Sequence, residues 1–197
     1  MPARDRLITG AIDLMRRNGV AGTGLNQLLE LSNTARRSLY LNFPGGKAEL
    51  IADATAASGR AMTDTIGQLA ADVEPVVAVQ SFIAMWRDTL IKSDFTSGCP
   101  IMAAALGRPE AANAADIAGE VFTEWERGIA SHLESRGVSP DEASQLATLT
   151  IAAVEGAVVM SMATKSDAPM QRAEDALVDV YRNKVGRATD SGSGRAP

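Results

Sequence analysis

Aromatic side chains make up only 4% of this 197-residue chain, which holds one cysteine and one histidine. A lone cysteine, Cys99, has no partner in the chain for a disulfide, so the reducing cytoplasm is the expected compartment. The opening stretch, MPARDRLITGAIDLM, lacks the apolar run of a secretory signal. Nowhere do about eighteen apolar residues follow one another without a charge, so neither a membrane span nor a membrane partner is expected. One histidine and one cysteine do not make the spaced sets that hold zinc, and no Walker-type or GxGxxG phosphate loop occurs. No metal and no cofactor are therefore expected. Gly45-Gly46-Lys47 lacks the first glycine and the preceding strand of a Walker loop. His132 sits between Ser131 and Leu133 on a helical pattern and reads as a packing or surface residue. Cys99 has no neighbouring base to activate it. Enzymatic function is not expected.

What the chain does have is alanine, with 46% hydrophobic and 22% charged residues overall. That is the composition of a helical globular protein, long enough to bury a core in one or two domains. The net charge of −5 argues against a nucleic-acid partner, but the charge is uneven. In residues 1–47, seven cations (Arg4, Arg6, Arg16, Arg17, Arg36, Arg37, Lys47) stand against Asp5, Asp13 and Glu30, a net +4 that leaves −9 on residues 48–197. Screening confines such attraction to about 8 Å at physiological salt. A basic head on an acidic body is compatible with DNA.

The head also carries the most informative spacing. Leu7, Ile8, Ala11, Ile12 and Met15 form a helical stripe that ends at Gly19. Thr23 is placed to cap a short helix over 25–31, with Leu25, Leu28 and Leu29 on one face. Ser32-Asn33-Thr34 breaks the pattern, and Asn33 tolerates the left-handed conformation that closes a helix. A second short helix over 35–42 sets Leu39 and Phe43 at i and i+4 before Pro44-Gly45-Gly46 ends it. Two short helices across a tight turn make a helix-turn-helix, whose second helix enters the DNA major groove. Arg36, Arg37, Ser38, Tyr40 and Asn42 supply forks and hydroxyls for bases and phosphates. Lys47, opening the next helix, is placed to meet a phosphate at that helix's N-terminus, and Arg4 and Arg6 to touch the DNA backbone. Thr23 joins these residues as a candidate DNA contact.

The run SLYLNFPGGKAEL resembles the most recognisable stretch of the TetR family of bacterial repressors, and GTGLNQLLELSN is similar to the preceding helix of that family. Gly98-Cys99-Pro100-Ile101 and Ala153-Val154-Glu155-Gly156-Ala157 resemble its LmrA/YxaF-like branch. The likeness runs from Arg4 to about Lys184. Asn33 stands where the family usually has glycine, Arg37 where it has a small residue, and Leu41-Asn42 where it commonly has two histidines. The resemblance implies an all-α protein that binds a double-stranded DNA operator and is released by a small molecule held in its body. The branch is associated with repressors of multidrug-export genes.

The chain is thus expected to be all-α, with about nine helices. Residues 1–47 form a three-helix DNA-binding domain, 48–186 a helical ligand-binding and dimerisation domain, and 187–197 a disordered tail. Met62, Ile66, Phe82, Met85, Trp86, Met102, Phe122 and Trp125 come together by pattern. They suit a cavity for a small hydrophobic effector, with Glu155 and Gln145 as polar neighbours. The helix over 143–163 is apolar nearly all round and rich in small residues, which marks a central or partner-facing helix. A homodimer pairing this helix and the last one across a two-fold axis would match a palindromic operator. The rival reading is a helical small-molecule-binding or interaction protein without DNA binding.

Overall fold

The computed structural model describes residues 1–193, with side chains through Val185. Among the described residues there are nine helices and no strand: α1 Ala3–Asn18, α2 Leu25–Leu31, α3 Arg36–Asn42, α4 Gly46–Ala70, α5 Pro75–Lys92, α6 Pro100–Leu106, α7 Ala112–Ser135, α8 Pro140–Thr164 and α9 Ala168–Ser193. Proline opens α5, α6 and α8 at a first-turn position, where its missing N–H costs no intrahelical bond. The last helix runs past Gly186, where the sequence reading ended it. The tail expected to be disordered therefore overlaps α9 at 187–193, and 194–197 lie outside the described residues. A helix already nucleated adds one hydrogen bond per residue, so weak formers extend it where they would not start it.

The chain divides into two compact units. The first comprises Met1–Met62 and Thr96–Val121, and the second comprises Thr63–Phe95 and the chain from Phe122 on. The first unit extends beyond Lys47, where the sequence reading ended the DNA-binding head, and its packing joins these segments. Leu7, Ala11, Leu14 and Met15 of α1 are buried with Leu28 of α2 and with Leu39 and Phe43. Gly10 admits α2 closely, since a Cβ there would lie 3.3 Å from Leu28 Cδ1. The 96–107 segment latches to the other end of α1. The Gly98 N–H donates to the Arg16 carbonyl at 2.9 Å, and Arg16 Nε donates back to the Gly98 carbonyl at 3.0 Å. Burial lowers the pKa of Arg16 from its ordinary value. Gly107 closes on Val20, so that a Cβ would come within 2.6 Å of the valine side chain. With these segments counted, nine cations meet eight carboxylates and the unit's net charge falls to +1.

In the second unit α5, α8 and α9 pack on one another. Ile83, Trp86, Leu90, Leu146, Val154, Val158, Met170, Leu177 and Tyr181 are buried there. The buried positions of α8 (Ala143, Leu146, Ala147, Thr150, Val154, Ala157, Val158, Ser161) form one stripe. Leu149, Val159 and Met160 lie outside that stripe, 44%, 45% and 56% exposed. Apolar residues on both faces make α8 the one helix among the described residues long and apolar enough to cross a membrane by length and composition. Its buried stripe shows it built into a protein core.

Arg87 on α5 forks onto Asp167, with Nε 3.0 Å from both carboxylate oxygens, and reaches Glu174 at 3.3 Å, tying α5 to the start of α9. Hydrogen bonds from Arg87 hold the Asp167 carboxyl below the usual carboxylate range. A depressed folded-state pKa adds stability that is present above the unfolded value and lost as pH falls through the folded one. Asp167→Asn is therefore expected to melt a few degrees below wild type near neutral pH, with the gap closing on acidification below about pH 4. A gap that persists unchanged in acid would assign the loss to packing instead.

Candidate nucleic-acid interface and body pocket

α3 is held from beneath and presented from above. Leu39 and Phe43, at i and i+4, are fully buried. Arg36, Arg37, Tyr40 and Leu41, at i, i+1, i+4 and i+5, form one exposed face. The turn before α3 has Asn33 in the left-handed region at φ 46°, where α2 closes through the Thr34 N–H donating to the Leu29 carbonyl at 2.9 Å. Arg6 clamps that turn by donating from Nε to the Ser32 carbonyl at 2.9 Å and from Nη1 to the Met1 carbonyl at 2.8 Å. Its guanidinium therefore satisfies carbonyls at the end of α2. The sequence reading placed it against the DNA backbone; in this structure its donors are turned to these carbonyls. Arg4 is likewise engaged, in an ion pair with Asp53 and over the Phe43 ring at 5.3 Å from its centroid.

The remaining predicted contacts sort by what their polar atoms already do. Thr23 is fully buried, and its hydroxyl donates to the Gly19 carbonyl at 2.7 Å. The helix cap is Gly24, in extended conformation with no side-chain bond, so Thr23 neither caps α2 nor offers its hydroxyl to DNA. Asn42 Nδ2 folds back onto the Ser38 carbonyl at 2.8 Å, which leaves the Asn42 carbonyl oxygen as its outward group. Lys47 is half-buried and donates from Nζ to the Val20 carbonyl at 3.1 Å. At the start of α4, the Gly45 N–H is taken by Glu49 at 2.7 Å and the Gly46 N–H by the Phe43 carbonyl at 2.8 Å. That N-terminus is less open to a phosphate than the sequence reading supposed. Arg36 is steadied from α2, its Nη2 3.2 Å from Asn26 Oδ1. Gly46 is required at φ 68°, and a Cβ there would press to 3.3 Å of the Tyr40 ring.

Two members of this face were not in the predicted set. Leu41 is 72% exposed, an apolar tip suited to a thymine methyl, and Asn26 orients Arg36. The departure from the family pattern at 41 was the available signal for the first. Nothing in the local sequence marked the second.

The second unit contains a small apolar pocket of about 40 Å³, between the end of α4, the start of α5, the last turns of α7, and α8 and α9. Of the predicted ligand residues, Ile66 and Phe82 line it. Met62 and Met102 belong to the first unit. Met85, Trp86, Phe122, Trp125 and Glu155 lie in the second unit but not on this pocket. Trp86 and Trp125 are core residues, with Phe122 edge-on to Trp125 at 5.4 Å between ring centroids. His132, Thr150 and Tyr181 do line the pocket and were not predicted to.

These features agree with comparisons to known proteins. Residues 75–176 match the family model described as transcriptional regulator LmrA/YxaF-like, C-terminal domain. The uncharacterized HTH-type transcriptional regulator YxaF of Bacillus subtilis (strain 168) is 29% identical over 187 residues, covering 92% of this chain and 96% of YxaF. The HTH-type transcriptional regulator LmrA of the same organism is 26% identical over 186 residues, covering 91% of this chain and 97% of LmrA. The crystal structure of the regulatory protein TetR from Rhodobacter sphaeroides superposes with a TM-score of 0.81 at 18% identity, over 90% of this chain and 97% of that one. A family match across more than half the chain, on a helical fold with a helix-turn-helix at its head, places this protein in the TetR family of transcriptional regulators, in the LmrA/YxaF-like branch.

Proposed function

We propose that the protein is a cytoplasmic repressor that binds a palindromic DNA operator as a two-fold dimer and leaves it when a small hydrophobic effector occupies its body. The observation that carries the reading is the α3 face. Arg36, Arg37, Tyr40 and Leu41 stand exposed on a helix whose opposite side is anchored by Leu39 and Phe43. Arginine forks suit guanine edges, and an exposed tyrosine and leucine suit phosphate and thymine methyl. Dimerisation is supported by the exposed apolar positions of α8, because monomers rarely leave such a face uncovered. Two such heads would read half-sites centred about 34 Å apart, or a multiple of that. An effector acts by preferring the released form, and a hundredfold preference corresponds to about 2.7 kcal/mol.

Genome-wide footprinting of the purified protein is expected to recover inverted repeats, and gel shifts on those sites to show steep salt dependence. Four cations, Arg36 and Arg37 from each of two reading heads, predict a loss of about 10²-fold in affinity between about 50 and 200 mM salt. A flat dependence, or footprints without two-fold symmetry, would overturn the reading in favour of a small-molecule-binding bundle.

A further inference from the structure

The outward line of α3 joins two kinds of chemistry one helical turn apart. Leu39 and Phe43 fix the buried side of the helix, both fully buried. At about 100° per residue, Leu41 stands about 180° round from their midpoint, the most outward position of α3. Arg37, exposed like Leu41, lies at i−4 from it and is its neighbour along the same line. An exposed leucine alone decides nothing, since folded proteins carry many. Here its place is what counts, because a duplex that meets the Arg37 guanidinium also meets the two methyl groups of Leu41.

Base edges in the major groove are almost wholly donors and acceptors, and the C5-methyl group of thymine is their one apolar feature. A leucine pressed onto any other edge strips water from a polar atom and returns no hydrogen bond. An arginine, by contrast, finds its best partner in the N7 and O6 acceptors of guanine. Four residues of helix advance about 6 Å, against about 3.4 Å for each base pair, so the two side chains reach groups about two base pairs apart.

We infer that Arg37 and Leu41 act as a pair that sets sequence specificity: each operator half-site carries a guanine read by Arg37 and, about two base pairs away, a thymine whose methyl group packs on Leu41. The inference rests on the DNA-binding reading above. Both residues stand where this chain departs from the pattern of its family, so the pair is a property of this chain. Arg36 flanks it, held on the α2 side by the 3.2 Å bond to Asn26 Oδ1.

The probe is a pool of random-sequence duplexes, from which the full-length protein is expected to enrich an inverted repeat. The enriched duplex is then remade with deoxyuridine for one thymine at a time, which deletes the methyl group and nothing else. One thymine in each half-site is expected to respond, with affinity falling about fourfold for one half-site and about fifteenfold for both, as for one buried methyl group in each. 7-Deazaguanine, which lacks the N7 acceptor, is expected to locate a sensitive guanine about two base pairs from that thymine. In Leu41→Ala the deoxyuridine loss should vanish, whereas Leu41→Met, which keeps an apolar tip, should retain most of it. Arg37→Ala should lose the response to 7-deazaguanine and keep the response to deoxyuridine. An enriched repeat in which no thymine responds, or a deoxyuridine loss that survives Leu41→Ala, overturns the role of Leu41 and leaves DNA binding standing. A 7-deazaguanine loss that survives Arg37→Ala overturns the role of Arg37 in the same way. A pool that enriches no sequence overturns the DNA-binding reading itself, and the pair falls with it.

Discussion

Replacing Arg36 and Arg37 together with alanine is expected to weaken operator binding about a thousandfold while leaving thermal stability unchanged. An arginine–guanine fork is worth about 1–3 kcal/mol, and a dimer on a palindrome carries each arginine twice. Even the low end of that range gives about 4 kcal/mol, close to three decades in affinity. Stability is spared because both guanidiniums stand exposed on α3 and neither is in an ion pair among the described residues. The salt dependence of the variant separates two ways of losing affinity. Lost base contacts relax sequence preference with the salt slope intact, whereas lost phosphate contacts lower the slope by about one for each contact. Asn26→Ala is a milder version, because it frees Arg36 from its 3.2 Å tether without removing the charge. Unchanged affinity in the double variant would mean that α3 does not read DNA.

The parts of this molecule that were legible in the sequence are those decided within a few residues. The i, i+4 spacing of Leu39 and Phe43 fixes which side of α3 is buried, and the break at Ser32-Asn33-Thr34 locates the left-handed residue at φ 46°. Prolines at 75, 100 and 140 mark helix starts because the constraint they impose is local. What was not legible depends on partners distant in the chain. The bond from Arg6 to the Ser32 carbonyl, 26 positions away, has no local sequence signal. That the 96–107 segment joins the first unit rests on Gly98 paired with Arg16 across 82 positions. Thr23 illustrates a different failure. Its type and place suit a cap, but its hydroxyl turns back to Gly19, and an extended Gly24 fills the cap position. The pocket shows a third. Methionine and aromatic content points to a cavity, whereas Trp86 and Trp125 are core residues and, of that set, Ile66 and Phe82 line the pocket.

Gly156→Glu is expected to convert the protein into a folded monomer that no longer holds its operator. Glycine in mid-helix is about 1 kcal/mol less favourable than a good helix former, so within one chain the substitution gains stability. Nothing in the chain resists it, since a Cβ at Gly156 meets no atom within 4 Å. Gly156 lies off the buried stripe of α8, on a helix that also exposes Leu149, Val159 and Met160. Small residues on such a face let two helix backbones approach closely, and a carboxylate there would be buried against its own symmetry mate. An unpaired buried charge costs several kcal/mol, enough to undo an association held by one helical face and its neighbour. Sedimentation at micromolar concentration should then show a 20.6 kDa species with wild-type helicity and a melting temperature independent of concentration. Gly156→Ala serves as the contrasting case. It adds one methyl group, improves the helix, and should leave the dimer at least partly formed. A Gly156→Glu protein that still sediments as a dimer and still shifts its operator would place the seam elsewhere. The exposed apolar positions of α8 would then need another partner to explain them.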